Sequence, residues 1–241
     1  DLNPCNRIHL ETVKRVREGV RTAGGIAMEF PMHPIFENCR RPTAALDRTL
    51  PQSHVGMTEL AVAGVLEKEL RDAGSEGFAF PSIVASGPRA ALPHAHSSPR
   101  RIERDDWLLM DFGAVVDGYV SDITRTVVVG SASDEHREVY DVVREANSRA
   151  SAGVRAGMTG RDADALARDY IDRAGFGPQF GHSLGHGIGL EVHEAPRLAR
   201  TAEGVLPEGA VVTIEPGIYR PGWGGVRIED DVVLGADGPR I

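Results

Sequence analysis

Four acidic residues sit in settings where a carboxylate is costly. Asp111 closes the apolar run Leu108-Leu109-Met110, and Asp122 lies in Val120-Ser121-Asp122-Ile123. Glu215 ends the run Val211–Ile214 just ahead of Pro216-Gly217. Glu229 follows Val226-Arg227-Ile228, an alternation that puts Arg227 and Glu229 on one face. Two buried like charges without a counter-ion would leave one group protonated. Four carboxylates brought together would instead balance two divalent cations. The plain alternative is that Asp111 and Asp122 are solvated acids on an exposed hairpin, and that each glutamate is a surface residue.

The histidines are clustered. Gly181-His182-Ser183-Leu184-Gly185-His186 runs on through Gly187-Ile188-Gly189 to His193, holding three imidazoles in a glycine-rich stretch. A neutral imidazole is a common ligand for catalytic metals and carries protons near neutral pH. His94 and His96 form a second group, in Leu92-Pro93-His94-Ala95-His96. His9, His33, His54 and His136 have no such company and read as incidental. One histidine with four carboxylates suits manganese, cobalt or iron better than a thiolate-rich zinc site. Two such ions about 3.5–4 Å apart would clamp a tetrahedral transition state, so the reaction class is metal-assisted hydrolysis. No Walker loop, nucleophile elbow or dinucleotide fingerprint competes with it.

Local signals say how these groups are positioned. Asp117-Gly118, between Val115-Val116 and Tyr119-Val120, predicts a two-residue type I′ hairpin. That turn sets Asp111 opposite Thr124, with Asp122 two residues along on the same face, about 7–8 Å away. The segment Gly56-Met57-Thr58 … Ala73-Gly74 recurs 101 residues later as Gly157-Met158-Thr159 … Ala174-Gly175. Each threonine is an N-cap candidate and each closing glycine a helix stop. The apolar stripes are Val62, Leu66 and Leu70 in one copy and Ala163, Leu166 and Tyr170 in the other. A further helix, Asp134–Ala152, carries Val139, Val142, Val143 and Ala146 on one side. Each half then offers a strand running into a carboxylate and a second carboxylate beyond it. A pseudo-twofold α/β domain with its site on the axis follows. Upstream, a helix is expected over Glu11–Ala23, the stretch Phe30–Pro42 shows neither period, and Pro51–Val55 reads as a linker.

Composition narrows the function classes. Of 241 residues 41% are hydrophobic and 26% charged, as in an ordinary globular chain. The net charge of −8, with no basic block, excludes nucleic acid as the expected partner. No apolar run approaches the roughly 18 residues of a membrane span. Two cysteines, Cys5 and Cys39, cannot build a disulfide framework and fit a reducing cytoplasm. Because the first residue is Asp1 rather than Met, a trimmed chain is expected.

From about Gly56 to Ile241 these motifs resemble the pita-bread metallopeptidases, the family of methionine aminopeptidase, aminopeptidase P and prolidase. The resemblance rests on Asp111 and Asp122, then His186, Glu215 and Glu229, in the family's order. It implies an α+β pita-bread (creatinase/aminopeptidase) fold, two pseudo-twofold halves around a central antiparallel sheet. It also implies that those five residues hold two divalent ions, Asp122 and Glu229 bridging both. Manganese is expected first, with cobalt, iron or zinc compatible. Glu215 would double as general base, His94 and His193 would bind substrate and shuttle protons, and His182 and Arg227 would be accessory residues of the Xaa-Pro branch. Ser86-Gly87-Pro88, Ala91-Leu92-Pro93-His94 and Gly225-Val226-Arg227-Ile228-Glu229-Asp230 favour prolidase or aminopeptidase P. The implied activity is hydrolysis of the peptide bond before proline by a metal-bridging hydroxide, in a cytoplasmic homodimer. The alternative is a catalytically impaired binding protein on the same fold.

Residues 1–50 resemble a fragment of the dihydroxy-acid and sugar-acid dehydratases, through Asp1-Leu2-Asn3-Pro4-Cys5-Asn6 and Glu37-Asn38-Cys39-Arg40-Arg41-Pro42. Cys5 matches an iron–sulfur ligand of that family. The other cluster cysteines are absent, so no dehydratase activity is expected. The expected organisation is a dehydratase-like segment over 1–50 and a catalytic domain over 51–241.

Overall fold

The computed structural model describes residues 34–241. Cys5 and the helix expected at Glu11–Ala23 lie outside the described residues. The first half contains helices α1 (Pro34–Thr49) and α2 (Glu59–Asp72) and strands β1 (Ile83–Ser86), β2 (Asp106–Phe112), β3 (Val115–Val116), β4 (Tyr119–Val120) and β5 (Ile123–Val129). The second opens with α3 (Asp134–Gly153) and α4 (Gly160–Arg173). Strands β6 (Gly185–Gly187), β7 (Glu194–Leu198), β8 (Val211–Ile214), β9 (Gly217–Arg220), β10 (Gly224–Arg227), β11 (Asp230–Gly235) and β12 (Gly238–Arg240) follow.

The sequence repeat is a structural repeat. Gly56 and Gly157 turn the chain at φ +93° and +87°. Thr58 then caps α2 by accepting from Ala61 N–H, and Thr159 caps α4 by accepting from Asp162 N–H. Both helices run 14 residues, have an alanine C-cap, and are closed by Gly74 at φ +90° and Gly175 at +88°. Positive φ is cheap only for glycine, which is why it recurs at these turns.

The sheets repeat too. Strands β1-β2-β5 form one antiparallel set, and β6-β8-β11 form the corresponding set within the order β12-β11-β8-β6-β7. A hairpin separates the two acids in each half: β3–β4 between Asp111 and Asp122, β9–β10 between Glu215 and Glu229. Asp117 (φ +52°) and Gly118 (φ +78°) make the expected tight turn, and Asp111 pairs with Thr124 as the register predicted.

Alternation along β2 sorts its side chains between two cores. Leu108, Met110 and Phe112 pack with Ala45 and Leu46 of α1 and with Val62, Leu66 and Leu70 of α2. Trp107 and Leu109 pack with Val139, Val143 and Ala146 of α3 and with α4. Asp111 belongs to the second face. The stripe on α4 is displaced from expectation: Ala163, Ala167 and Ile171 are buried, whereas Leu166 and Tyr170 lie at its partly buried margin.

The stretch Phe30–Pro42 was expected to have neither period, yet from Pro34 it is helical. Pro42 sits inside α1, where a proline removes the N–H that would bond the carbonyl four residues back. That carbonyl belongs to Asn38, and the Ser121 hydroxyl reaches it from the β4–β5 connection at 3.5 Å. Asn38 in turn donates Nδ2 to Tyr119 O, and Arg48 Nε meets Glu69 at 2.6 Å. Tertiary contacts thus supply what local propensity lacks. The expected linker Pro51–Val55 begins inside a short 3₁₀ turn, Leu50–Gln52. No helix among the described residues is long and apolar enough to cross a membrane.

Candidate metal centre

The chain ends of β2, β5, β6, β8 and β10 meet where the two halves face each other. Ligand atoms of Asp122, His186 and Glu229 all lie within 4.8 Å of one another. Glu215 Oε1 stands 3.5 Å from His186 Nε2, and Asp122 Oδ2 stands 4.0 Å from that nitrogen. Asp111 turns Oδ2 toward Arg227 Nη2 at 2.5 Å. Its Oδ1, and Oδ1 of Asp122, are buried without a hydrogen-bond partner.

Backbone and hydroxyl groups orient these side chains. The carbonyl of Gly187 can only accept, so His186 donates Nδ1–H to it at 3.0 Å and leaves the Nε2 lone pair facing the carboxylates. Thr213 Oγ1 donates to Glu215 Oε1 at 3.3 Å and accepts from His186 N–H at 3.1 Å. Thr124 Oγ1 donates to Glu229 Oε2 at 2.5 Å and accepts from Arg227 Nε at 2.9 Å. Arg227, buried, also donates Nη1 to Tyr219 OH at 3.0 Å and to the Pro93 carbonyl at 3.2 Å. Tyr219 OH meets His182 Nε2 at 2.8 Å, while His182 Nδ1 donates to the Ser183 carbonyl. The order Asp111–Arg227–Tyr219–His182 is therefore one hydrogen-bonded chain leading outward.

The electrostatics are lopsided. Burial, then repulsion from Glu229 and Asp111, pushes Asp122 well above the usual carboxylate range. Glu229 rises well above it for the same reasons, burial first and Glu215 next. Burial lifts Glu215 to about 8 against the opposing pull of Arg227. Burial also lowers His186, and takes His182 down to about 4. A single guanidinium cannot neutralise four carboxyls. The donor set fits divalent cations: orphaned carboxylate oxygens and an unprotonated imidazole nitrogen converge, and ionised ligands need a positive partner there.

The expected residues thus fall into three groups. Asp122, His186 and Glu229 form the compact cluster, with Glu215 at its edge and Asp111 held by Arg227. His182 is half-buried on the chain through Tyr219. His94 and His193 are exposed, His94 following the Pro93 carbonyl that Arg227 holds and His193 with its ring 4.4 Å from that of His186. His136, read as incidental, instead closes the capping box of α3 with Ser133 and packs between Trp107 and Trp223. Sequence reasoning missed Thr124, Thr213 and Tyr219. For Thr124 the signal was available, because the hairpin register already placed it opposite Asp111.

The metallopeptidase family M24 matches residues 35–236, beginning inside the segment that had been set apart at 1–50. The Xaa-Pro dipeptidase of Pyrococcus furiosus is 42% identical over 96% of this chain and 67% of its own length. A solved Xaa-Pro dipeptidase from Bacillus anthracis superposes with a TM-score of 0.85 at 48% identity, covering 89% of this chain and 61% of that one. An X-Pro aminopeptidase from Thermotoga maritima MSB8 gives 0.85 at 45% identity, over 93% and 63%. This chain spans about half to two thirds of the length of the relatives it matches. The repeated halves are those of the pita-bread fold, as the motifs implied. With the family model spanning residues 35–236, a relative 42% identical over 67% of its own length and its two halves in the same fold, the chain belongs to metallopeptidase family M24.

Proposed function

We propose that this chain hydrolyses the peptide bond preceding proline, using two divalent cations held by Asp111, Asp122, His186, Glu215 and Glu229. The observation that carries the proposal is the convergence of Asp122, His186 and Glu229 donor atoms within 4.8 Å beside Glu215, in a site too poor in positive charge to hold ionised acids alone. The cations would supply charge for the acids and Lewis acidity for the scissile carbonyl.

The protein's own groups do the rest. Glu215 accepts the proton of the attacking water and returns it to the prolyl nitrogen as that bond breaks. His186 is kept neutral by burial, its Nε2 free of a proton. His94 and His193, exposed at the mouth, contact the substrate and steady the developing oxyanion. The chain His182–Tyr219–Arg227 orients Asp111 and lines the side from which a Xaa-Pro peptide enters. Relatives named as Xaa-Pro dipeptidase and X-Pro aminopeptidase support proline at the second position. Manganese suits the oxygen-rich set, and a cytoplasmic homodimer remains the expected setting. We assign the whole described unit, α1 included, to the catalytic domain, because Ala45 and Leu46 complete the core under β2.

The test is hydrolysis of Xaa-Pro dipeptides and longer Xaa-Pro peptides by metal-stripped protein, with and without manganese. Manganese-restored cleavage that is absent from Asp122→Ala is the expected result, and the preferred peptide length separates dipeptidase from aminopeptidase. Folded, manganese-loaded protein that leaves every such peptide intact would overturn the proposal.

A further inference from the structure

We propose that Glu59 is a positioning residue for the loop that carries His94, a role that rests on the Xaa-Pro reading. Glu59 is the first residue of α2 and is fully buried, where a carboxylate must be fully hydrogen-bonded to be tolerated. Its oxygens are saturated. Oε1 accepts from the N–H and hydroxyl of Ser86 at 2.8 and 2.9 Å. Oε2 accepts from the N–H and hydroxyl of Ser98 at 3.1 and 2.6 Å. These two serines bracket the loop. Within it, Arg89 donates Nε to Glu59 Oε2 at 3.0 Å and Nη2 to the His96 carbonyl at 2.6 Å. One charge therefore ties the start, the interior and the end of the segment together.

Other bonds secure the flanks. Ser97 Oγ links to Val84 N–H and Ser82 O, and the N–H groups of Glu59 and Leu60 reach the carbonyls of Arg100 and Ser98. From the opposite side Arg227 holds the Pro93 carbonyl. The residue after Pro93 is His94, an exposed residue inside the bracketed segment. The loop is thus stretched between Glu59 beneath and the Asp111–Arg227 pair at the site.

The second half supplies an internal control. The position of Glu59 in the repeat is taken by Gly160, and the His182 loop hangs instead on Asp164, one turn further along α4. Asp164 accepts from Arg168 and from Leu184 N–H, while Arg168 donates to the carbonyls of Phe180 and His182. Each histidine loop has its own buried carboxylate, so loosening one should spare the other.

Hydrogen–deuterium exchange on the full chain tests this, with manganese titration and Xaa-Pro kinetics on the same samples. Glu59→Gln keeps the side chain's shape but loses one acceptor oxygen and the pairing with Arg89. Ser98→Ala is the milder variant, removing one bond to Oε2 and the hydroxyl that accepts from Arg100 N–H. Exchange across 87–96 should quicken about tenfold in Glu59→Gln and less in Ser98→Ala, with 180–184 unchanged. kcat/KM should fall about tenfold while manganese affinity stays within roughly threefold. Unchanged exchange across 87–96 overturns the role. So does faster exchange in both halves together with lost manganese binding, which would make Glu59 a general structural residue. A wild-type protein inactive on every Xaa-Pro peptide would refute the activity, while the exchange pattern would still decide the clamp.

Discussion

The two halves share a frame and differ in what it holds. Strands β1-β2-β5 and β6-β8-β11 match in order and direction, and the capped helices α2 and α4 match in length and terminal angles. Carrying the 101-residue offset across, however, sets buried Ala85 in β1 where β6 has His186. The tight Asp117-Gly118 hairpin of the first half becomes β9–β10 in the second, long enough to bear Tyr219 and Arg227. The repeat delivers carboxylates symmetrically. The imidazole, the buried cation and the outward relay come from the asymmetry. A duplicated scaffold can thus build a charge-rich centre on its axis, while the substrate side depends on elements present once.

The sharpest test of that division removes one acid from each half. If the centre belongs to both halves equally, Asp122→Ala and Glu229→Ala should each lower manganese-restored hydrolysis by about 10³-fold or more. Calorimetric titration should show less manganese bound by both. Near-normal turnover in either variant would break the picture of a shared centre.

Next in size is the pH dependence of the metal-free protein. The folded state raises Glu215 from 4.5 to about 8, so it holds that proton more tightly than the unfolded chain. The stability this contributes is complete below 4.5 and is lost as pH rises through 8. His182 runs the other way. Lowered from 6.5 to about 4, it favours the folded state above 6.5, and that support is lost as pH falls toward 4. Thermal melting without metal should therefore weaken toward both ends, and manganese should abolish the alkaline loss. A melting temperature indifferent to pH between 5 and 8, with and without manganese, would argue against the crowding of acids.

Smaller effects probe the frame itself. A methyl at Gly160 would sit 2.1 Å from the Arg197 carbonyl oxygen and 2.8 Å from Ala202 Cβ. Gly160→Ala should cost roughly 1–3 kcal/mol in denaturant unfolding, because the nearest clash is with backbone. Thr58→Ala and Thr159→Ala each remove one N-cap bond and should cost about 1 kcal/mol apiece. A difference between the two threonines as large as that loss would show that the halves match in geometry without matching in energy.

Much of the frame was legible because its signals are local. Asp117-Gly118 demands positive φ at two successive positions, the threonines and glycines mark helix ends, and alternation aligned Arg227 with Glu229. The failures also have physical causes. The α1 helix contains Pro42, so its stability comes from Ser121, Tyr119 and Glu69, which are distant in sequence. The stripe on α4 is expected through Ala163, Leu166 and Tyr170, whereas Ala163, Ala167 and Ile171 are the buried set and the two large residues cover its margin. Tyr219, Thr124 and Thr213 are ordinary strand residues until the fold sets them beside His182, Glu229 and Glu215.

By itself the sequence determined the repeat, the hairpin register and the identity of the acids and histidines, because those follow from backbone conformation and side-chain chemistry within a few residues. Only the tertiary structure decided which acid pairs with the buried Arg227 guanidinium, which hydroxyls orient the others, and which loop rests on Glu59. Those outcomes depend on burial and on partners as far apart as Asp111 and Arg227, and no local pattern encodes them.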